Sequence, residues 1–253
     1  MANQPWLQIL TSTAIEIEMN EPVIALDHLS KSYGNVLAVQ DLSLTIEAGT
    51  IFGFLGPNGA GKTTTIRMLC GLTHPISGRA TIEGVDTWKE RQKVRTKFGY
   101  VAQSFSLYRD LTVLENFRFF AGAYGVPGAQ LGERIDRLLQ VIDLEGKRDA
   151  TADNLSGGMR QLLAIGCALV HDPLVLFLDE PTRGLDPVHR QQIWNLLYDL
   201  SHVGKTIFVT THYMDEAERC TEVGFIENGR LLAKASPRAL KASFRARLLE
   251  IDV

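Results

Sequence analysis

The sequence lacks the long apolar segment and the basic leader that mark membrane-spanning and secreted proteins. A bilayer-spanning helix needs roughly 20 consecutive apolar residues, whereas the longest clean apolar run, 162–170, lies between Gln161 and His171. Residues 1–30 contain no Lys or Arg, so the basic start of a secretory signal is missing. We therefore expect a cytoplasmic protein that does not cross a membrane by itself.

Cysteine is scarce, and neither sign of charge is in large excess. The three cysteines, Cys70, Cys167 and Cys220, lie far apart and form neither a CxxC pair nor a disulfide framework, which favours a reducing compartment. Lys and Arg number 26 against 29 Asp and Glu, a net charge of −3, so general nucleic-acid binding is not expected. With 45% hydrophobic residues among 253, the chain has the composition of one large globular domain, or of a core with a subdomain.

Strand and helix patterns alternate along the chain. Short apolar runs predict strands at 23–26, 42–46, 51–55, 98–102, 174–178, 206–210, 223–226 and 230–233. Apolar residues at helical spacing predict helices at 62–72, 131–142, 161–170 and 191–200. Strands that alternate with helices indicate an α/β fold with a parallel-sheet core.

Three segments depart from this alternation. Residues 104–165 hold few strand signals and several helical stretches, so we interpret them as an inserted helical subdomain. Residues 1–21 show no clear period and are an N-terminal extension, with a tag remnant or a disordered tail as the alternatives. Residues 248–253 have the pattern of a strand cut short, and we expect an accessory tail to be absent or trimmed there.

A glycine-rich loop follows the predicted strand 51–55 and fits the pattern G-x-x-x-x-G-K-[ST] at every fixed position. This phosphate loop consists of Gly56, Pro57, Asn58, Gly59, Ala60, Gly61, Lys62 and Thr63. Its glycines let backbone N–H groups point into a hollow, and the helix that follows adds its positive end. Lys62 supplies a charge for the β and γ phosphates, and Thr63 offers a hydroxyl to Mg²⁺.

Two carboxylates, Asp179 and Glu180, end the continuous apolar run 174–178, which is typical of a parallel strand buried on both faces. Ligands of open α/β sheets bind at the carboxyl ends of the strands. There Asp179 can hold Mg²⁺, and Glu180 can act as the general base toward an attacking water. The alternative is a solvated carboxylate pair that caps the next helix.

A second helix start that suits an anion begins at Ser156. Ser156, Gly157 and Gly158 precede the periodic stretch 161–170, so the serine can cap the helix while the next N–H groups stay exposed. An ordinary capped helix is the alternative. We call residues 155–159 the signature turn.

Together these motifs resemble, over about residues 23–235, the nucleotide-binding domain of ABC transporters. The resemblance implies a P-loop NTPase fold with a RecA-like parallel-sheet core and an antiparallel β-subdomain. It places the ATP-binding domain at 22–236, with the helical subdomain inserted at about 104–165 and a C-terminal helix or tail at 237–253.

The resemblance also implies roles for single residues outside the three motifs. Tyr33 would stack on adenine, with a core tyrosine as the alternative, and Thr64 would help to bind the nucleotide. Gln103 would lie near Mg²⁺ and the attacking water, although a surface glutamine is also possible. Asp186 belongs to the D-loop 184–186. His212, which follows a predicted strand, would contact the γ-phosphate, so Glu180, His212, Gln103 and Lys62 are the expected catalytic residues. The other five histidines match no motif.

The chain departs from the usual family pattern at two positions. Met159 stands where glutamine is more usual, and Arg183 stands where serine is frequent. Neither is a reacting group, so these departures bear on the dimer interface and not on ATP binding.

The resemblance implies a dimer, most simply a homodimer, in which the phosphate loop of one chain and the signature turn of the other hold ATP between them. It further implies Mg²⁺ as a cofactor, membrane permease subunits as partners and peripheral attachment to the inner face of the membrane. Apolar residues after Gln103 would receive the membrane subunit, or form the core of the helical subdomain; they are Phe105, Leu107, Tyr108, Leu111, Phe117, Phe119 and Phe120.

Finer similarity lies in residues 63–65, 181–187 and 212–217, which most resemble the branch that exports drugs, lipids or polysaccharides. Two alternatives remain, a soluble ABC-type ATPase of DNA repair or translation and a non-catalytic nucleotide sensor. The interval between Lys62 and Ser156 leaves no room for the coiled coils of repair proteins. Glu180 and His212 argue against a sensor.

Overall fold

The computed structural model describes residues 22–104 and 107–243. The strands of this part are β1 (Ile24–Tyr33), β2 (Val36–Ile46), β3 (Ile51–Leu55), β4 (Ser77–Ile82), β5 (Val85–Asp86), β6 (Phe98–Val101), β7 (Val175–Asp179), β8 (Thr206–Thr211), β9 (Glu222–Glu227) and β10 (Arg230–Ala235). Its α-helices are α1 (Lys62–Leu69), α2 (Arg91–Val94), α3 (Val113–Ala123), α4 (Gly128–Val141), α5 (Gly157–Leu169), α6 (Pro187–His202), α7 (Met214–Ala217) and α8 (Pro237–Ser243).

The central sheet has six strands in the order β10-β9-β3-β8-β7-β6. All neighbouring pairs are parallel except β9 and β10. β3, β7 and β8 are buried along their whole length, because a parallel sheet carries helices or a second layer on both faces. The parallel-sheet core predicted from the sequence is therefore confirmed.

A second sheet is antiparallel, with the order β2-β1-β4-β5. This second sheet packs against one face of the central sheet, as the alternating side chains of β7 show. Val175 and Phe177 join the cluster shared with the second sheet and α1. Leu176 and Leu178 join the opposite cluster, which contains the buried faces of α3, α5 and α6. The predicted antiparallel β-subdomain is confirmed, and the core lies on both sides of the central sheet.

The insertion between β6 and β7 is helical, as predicted. α3 begins at a capping box in which Thr112 and Glu115 each bond the backbone N–H of the other. Phe117 of α3 is fully buried against α5, and a Cβ at Gly166 of α5 would lie 2.8 Å from its ring. The contact depends on that glycine, so α3 is fixed on the helix that starts at the signature turn.

Several predicted element boundaries differ from the structure. The helix predicted at 62–72 ends at Leu69, and the helix predicted at 131–142 begins at Gly128, directly after Pro127. β4 and β5 were not predicted, because only Ala80 and Ile82 of β4 are buried and the alternating pattern is too short. The extension 1–21 and the predicted strand 248–253 lie outside the described residues. None of the described helices is long and apolar enough to cross a membrane.

Candidate active site

The phosphate loop connects the end of β3 to the start of α1. Two of its glycines are required by the space around them. A Cβ at Gly56 would lie 2.2 Å from the Ile226 carbonyl oxygen. Gly61 has φ of 106°, and a Cβ there would lie 2.5 Å from the Ala38 oxygen. The loop is therefore held against β9 and β2 in a conformation that larger residues cannot adopt.

Lys62 is the first residue of α1, and its ammonium lies inside the loop. Lys62 Nζ donates to the carbonyl oxygens of Gly56, at 2.7 Å, and Pro57, at 3.0 Å. It lies 3.7 Å from Glu180 Oε1, and its side chain is only 5% exposed. Burial lowers the pKa of the Lys62 ammonium, while the carboxylates of Glu180 and Asp179 act in the opposite direction. The loop thus concentrates positive charge where phosphates would bind.

Glu180 is the point at which the predicted catalytic residues meet. Its Oε1 lies 3.4 Å from His212 Nδ1, as well as near Lys62. Its Oε2 accepts hydrogen bonds from Gln103 Nε2, at 3.2 Å, and Arg183 Nη1, at 3.3 Å. The Glu180 side chain is 7% exposed, and the residue has φ of 50°, a left-handed conformation that is uncommon for non-glycine residues.

Thr210, near the end of β8, binds the Asp179 carboxylate and the Glu180 main chain. Its hydroxyl donates to Asp179 Oδ1 at 2.6 Å and accepts the backbone N–H of Glu180 at 3.0 Å. Asp179 is 1% exposed, and its Oδ2 is buried without a hydrogen-bond partner. Because an unpaired buried carboxylate oxygen is costly, this atom marks a place for a cation.

Two adjoining cavities open beside the phosphate loop, with volumes of about 610 and 270 Å³. The larger is lined by Thr63, Gln103 and Asp179 among others. Residues of both the loop and the carboxylate side line the smaller one; they include Asn58, Gly59, Gly61, Lys62, Thr63, Thr64, Gln103 and Glu180. Ala60 is the buried member of the loop, and its carbonyl accepts the Gly229 N–H at 3.0 Å.

The donor set fits a magnesium ion. Thr63 is exposed at the start of α1 and shares the larger cavity with Gln103 and with Asp179, whose Oδ2 is free of protein partners. Hydroxyl, amide and carboxylate oxygens are hard ligands of the kind that Mg²⁺ prefers, and Mg²⁺ keeps several waters.

Tyr33 lies at the exposed end of β1, where its side chain is 48% exposed. Lys31 Nζ lies 5.3 Å from the centre of its ring. The alternative of a core tyrosine is therefore wrong, and one aromatic face is available for stacking. Tyr33 lines neither of the two cavities.

The signature turn occupies a separate surface. Ser156 caps α5 by accepting the Met159 N–H at 3.2 Å, and Gly157 and Gly158 form the first turn of that helix. Asp186 caps α6 by accepting the N–H groups of Val188 and His189. Ser156, Gly157, Gly158 and Asp186 line neither cavity, so within the described part of the chain the structure does not unite them with the phosphate loop.

Sequence reasoning missed two groups beside Glu180. Thr210 was predicted only as part of a strand, although its pairing with Asp179 across β7 and β8 brings its hydroxyl to the Asp179 carboxylate and the Glu180 backbone N–H. Arg183 was noted only as a departure from the family pattern, yet it pairs with Glu180 and lines both cavities. Contacts of this kind follow from strand order, which spacing along the chain does not reveal.

A strand, a glycine-rich phosphate loop and a helix, with acidic residues at the end of a nearby parallel strand, define a P-loop NTPase domain. Comparison with known proteins places it more narrowly. A family model described as ABC transporter matches residues 39–183. The probable multidrug ABC transporter ATP-binding protein YbhF of Escherichia coli (strain K12) is 43% identical over 228 residues, 90% of this chain. This chain spans 39% of the length of that relative.

Two further comparisons agree. The Nod factor export ATP-binding protein I of Cupriavidus metallidurans is 44% identical over 219 residues, 86% of this chain and 72% of that protein. A dimeric post-hydrolysis structure of the ATP-binding cassette MJ0796 with ADP and Pi has a TM-score of 0.77 and 29% identity, covering 85% of this chain and 99% of that one. The chain belongs to the ABC transporter family.

Proposed function

We propose that the chain is the ATP-binding and ATP-hydrolysing subunit of an ABC transporter, and that it powers export through separate membrane subunits. The observation that carries the proposal is the arrangement around Glu180. A buried carboxylate lies at the wall of the phosphate-loop cavity, with Lys62, Gln103 and His212 within 3.7 Å of its oxygens. The names of the multidrug and Nod factor relatives support export.

In this proposal the phosphates of ATP bind in the phosphate loop. The negative charge of the phosphates is balanced by the backbone N–H groups of the loop and by the Lys62 ammonium. Glu180 then orients a water molecule and takes its proton, a role worth about 10²–10⁴ in rate. Gln103 and His212 hold the Glu180 carboxylate and its surroundings, and His212 can also donate to the γ-phosphate.

Thr63, Asp179 and Gln103 would hold Mg²⁺ at the larger cavity, and the ion would neutralise phosphate charge when bound. The unpaired Asp179 Oδ2 supports this assignment. The Thr210 hydroxyl keeps Asp179 in its orientation through the other oxygen. Tyr33 would stack on the adenine ring with its exposed face.

A head-to-tail dimer accounts for the separate position of the signature turn. Ser156 is exposed and lines neither cavity beside its own phosphate loop. In the dimer, the signature turn of one chain would contact the ATP held by the other, so that two helix N-termini meet the triphosphate from opposite sides. The similar cassette MJ0796 forms a dimer with ADP and Pi bound, which supports dimerisation.

An aromatic patch on the helical insertion supports a membrane-subunit partner at the inner face of the membrane. Tyr108 and Phe119 are 47% and 46% exposed, and their ring centres are 4.3 Å apart. Leu107 and Phe117, which were also expected to be available, are buried in the core, and Phe105 lies outside the described residues. Exposed aromatic pairs of this kind are frequent at interfaces.

The experiment for the proposed function is Glu180→Gln. The amide keeps the shape of the side chain but cannot take a proton, so we expect ATP binding to persist, turnover to fall by about 10²–10⁴ and an ATP-bound dimer to accumulate. Size-exclusion chromatography with light scattering would detect the dimer, and Glu133→Gln on the exposed face of α4 is the matched control. Turnover that survives in Glu180→Gln would contradict the assignment.

The partner assignment has its own test. Tyr108→Ser combined with Phe119→Ser should leave ATP binding unchanged and reduce recovery of the chain with membranes that contain its permease subunits. Val188→Ser, a change at another exposed apolar position, is the control. Equal recovery of all three proteins would remove the aromatic patch as the docking surface.

A further inference from the structure

His189, which matches no motif in the sequence, lies between the D-loop and the signature turn. His189 Nδ1 is 2.5 Å from Asp186 Oδ2, and His189 Nε2 is 3.4 Å from Ser156 Oγ. Asp186, His189 and Ser156 therefore form a continuous hydrogen-bond network. This network joins the N-terminus of α6 to the N-terminus of α5.

The imidazole is held in place by packing as well as by hydrogen bonds. A Cβ at Gly158 would lie 2.1 Å from His189 Cγ and Cδ2, so the ring stands directly against the bare backbone of the signature turn. The His189 side chain is 25% exposed. The small residue at 158 thus makes room for the ring beside Ser156.

Each hydrogen-bond donor of this network has an acceptor within it. Asp186 Oδ1 accepts the backbone N–H groups of Val188 and His189, at 3.0 and 3.1 Å. These bonds and that of the His189 side chain lower the pKa of the Asp186 carboxyl, which keeps it an acceptor for Nδ1–H. Nε2 then accepts the Ser156 hydroxyl hydrogen, while Ser156 Oγ accepts the Met159 N–H. These bonds fix the position of Ser156 Oγ at the start of α5.

We propose that His189 is a positioning residue that holds Ser156 and the first turn of α5 in place for the phosphates of the nucleotide held by the partner chain. The inference rests on the proposed head-to-tail dimer. His189 links the D-loop to the signature turn within one protomer, so a shift of Asp186 at the dimer interface moves Ser156 with it. A substitution of His189 should therefore change assembly of the dimer and leave ATP binding by a single chain unchanged.

The test compares His189→Leu, which fills the space of the ring without polar atoms, with His189→Gln, whose amide reaches the Nε2 position. Both substitutions are made in the Glu180→Gln background. The dissociation constant of the dimer in the presence of ATP is then measured by analytical ultracentrifugation. We expect Leu to weaken the dimer by at least about tenfold, because Ser156 would then have to be ordered on assembly at each of two symmetric sites, at a cost comparable to one hydrogen bond per site. Gln should restore it to within about threefold, and ATP affinity of the monomers should not change.

The outcomes separate the inference from the proposed function. If Glu180→Gln alone forms no dimer with ATP, the proposed function fails and the inference with it. If that parent dimerises and the Leu variant dimerises equally well, or Gln is as weak as Leu, only the inference is overturned.

Nitrogen-15 NMR of the imidazole gives a second measurement on the monomer. The structure predicts an Nδ1–H tautomer whose Nε2 signal shifts in Ser156→Ala. An unchanged Nε2 signal would overturn the inference even if the Leu variant did not fold.

Discussion

His171 offers a quantitative prediction about stability and pH. It follows α5, and its ring stacks on Tyr124 with centres 3.7 Å apart and planes 7° apart. Nε2 lies 3.0 Å from the Phe98 carbonyl oxygen and must carry a hydrogen to donate to it. Nδ1 is buried with no hydrogen-bond partner, so a second proton on the ring would have no acceptor. Burial, the largest effect, lowers the pKa of His171 to about 4.

The sign and size of the effect follow from this pKa. In the unfolded chain His171 titrates near 6.5, so between pH 6.5 and 4 the unfolded state binds more protons and the free energy of unfolding falls as the pH falls. The contribution is fully present above pH 6.5. About 2 kcal/mol should be lost at pH 5, and about 3 kcal/mol once the pH is well below 4. A typical domain is stable by about 5–15 kcal/mol, so the loss is measurable.

Urea unfolding of wild type and His171→Gln at pH 8, 6.5 and 5 measures this pH-dependent loss of stability. Glutamine can still donate to Phe98 but carries no charge at any of these pH values. The free energy of unfolding of wild type, relative to that of His171→Gln, should therefore fall by about 2 kcal/mol from pH 8 to pH 5. If both proteins lose stability in parallel, the buried neutral imidazole is not the source and the reasoning is refuted.

Three further predictions concern the proposed nucleotide site. Lys62→Ala should abolish detectable binding of a fluorescent ATP analogue, because the loop loses its one ammonium; unchanged affinity would contradict the phosphate-loop assignment. Tyr33→Ala should lower that affinity while Tyr33→Phe retains it, since stacking needs only the ring; equal losses would indicate a role for the hydroxyl. Ser156→Arg should block ATP turnover and dimer formation yet leave ATP binding by the monomer intact, and a monomer that no longer binds ATP would show that Ser156 acts within its own chain.

Local sequence was sufficient for the parts of the site that one segment forms. The phosphate loop and the Asp179–Glu180 pair each depend on a strand and the residues that directly follow it, so pattern and spacing predicted where they lie. The continuous burial of β7 agrees with its apolar run, because each of its two faces is covered by a different layer. Secondary structure failed where burial was sparse, as in β4.

Contacts between distant segments could not be read from the sequence. The register of β7 and β8 sets Asp179 opposite Thr210, and nothing in either segment alone indicates that pairing. The same holds for His189, which appears unremarkable in α6 until the fold places α5 beside it. Exposure was equally hidden, because Phe117 and Phe119 differ only in which side of α3 they occupy.

The Thr210 hydroxyl has a mechanical consequence. Because one buried oxygen joins the Asp179 side chain to the Glu180 main chain, the ends of β7 and β8 are tied together where the two acidic residues lie. Loss of this single hydroxyl would therefore disturb the place proposed for the cation and the place proposed for the general base at the same time.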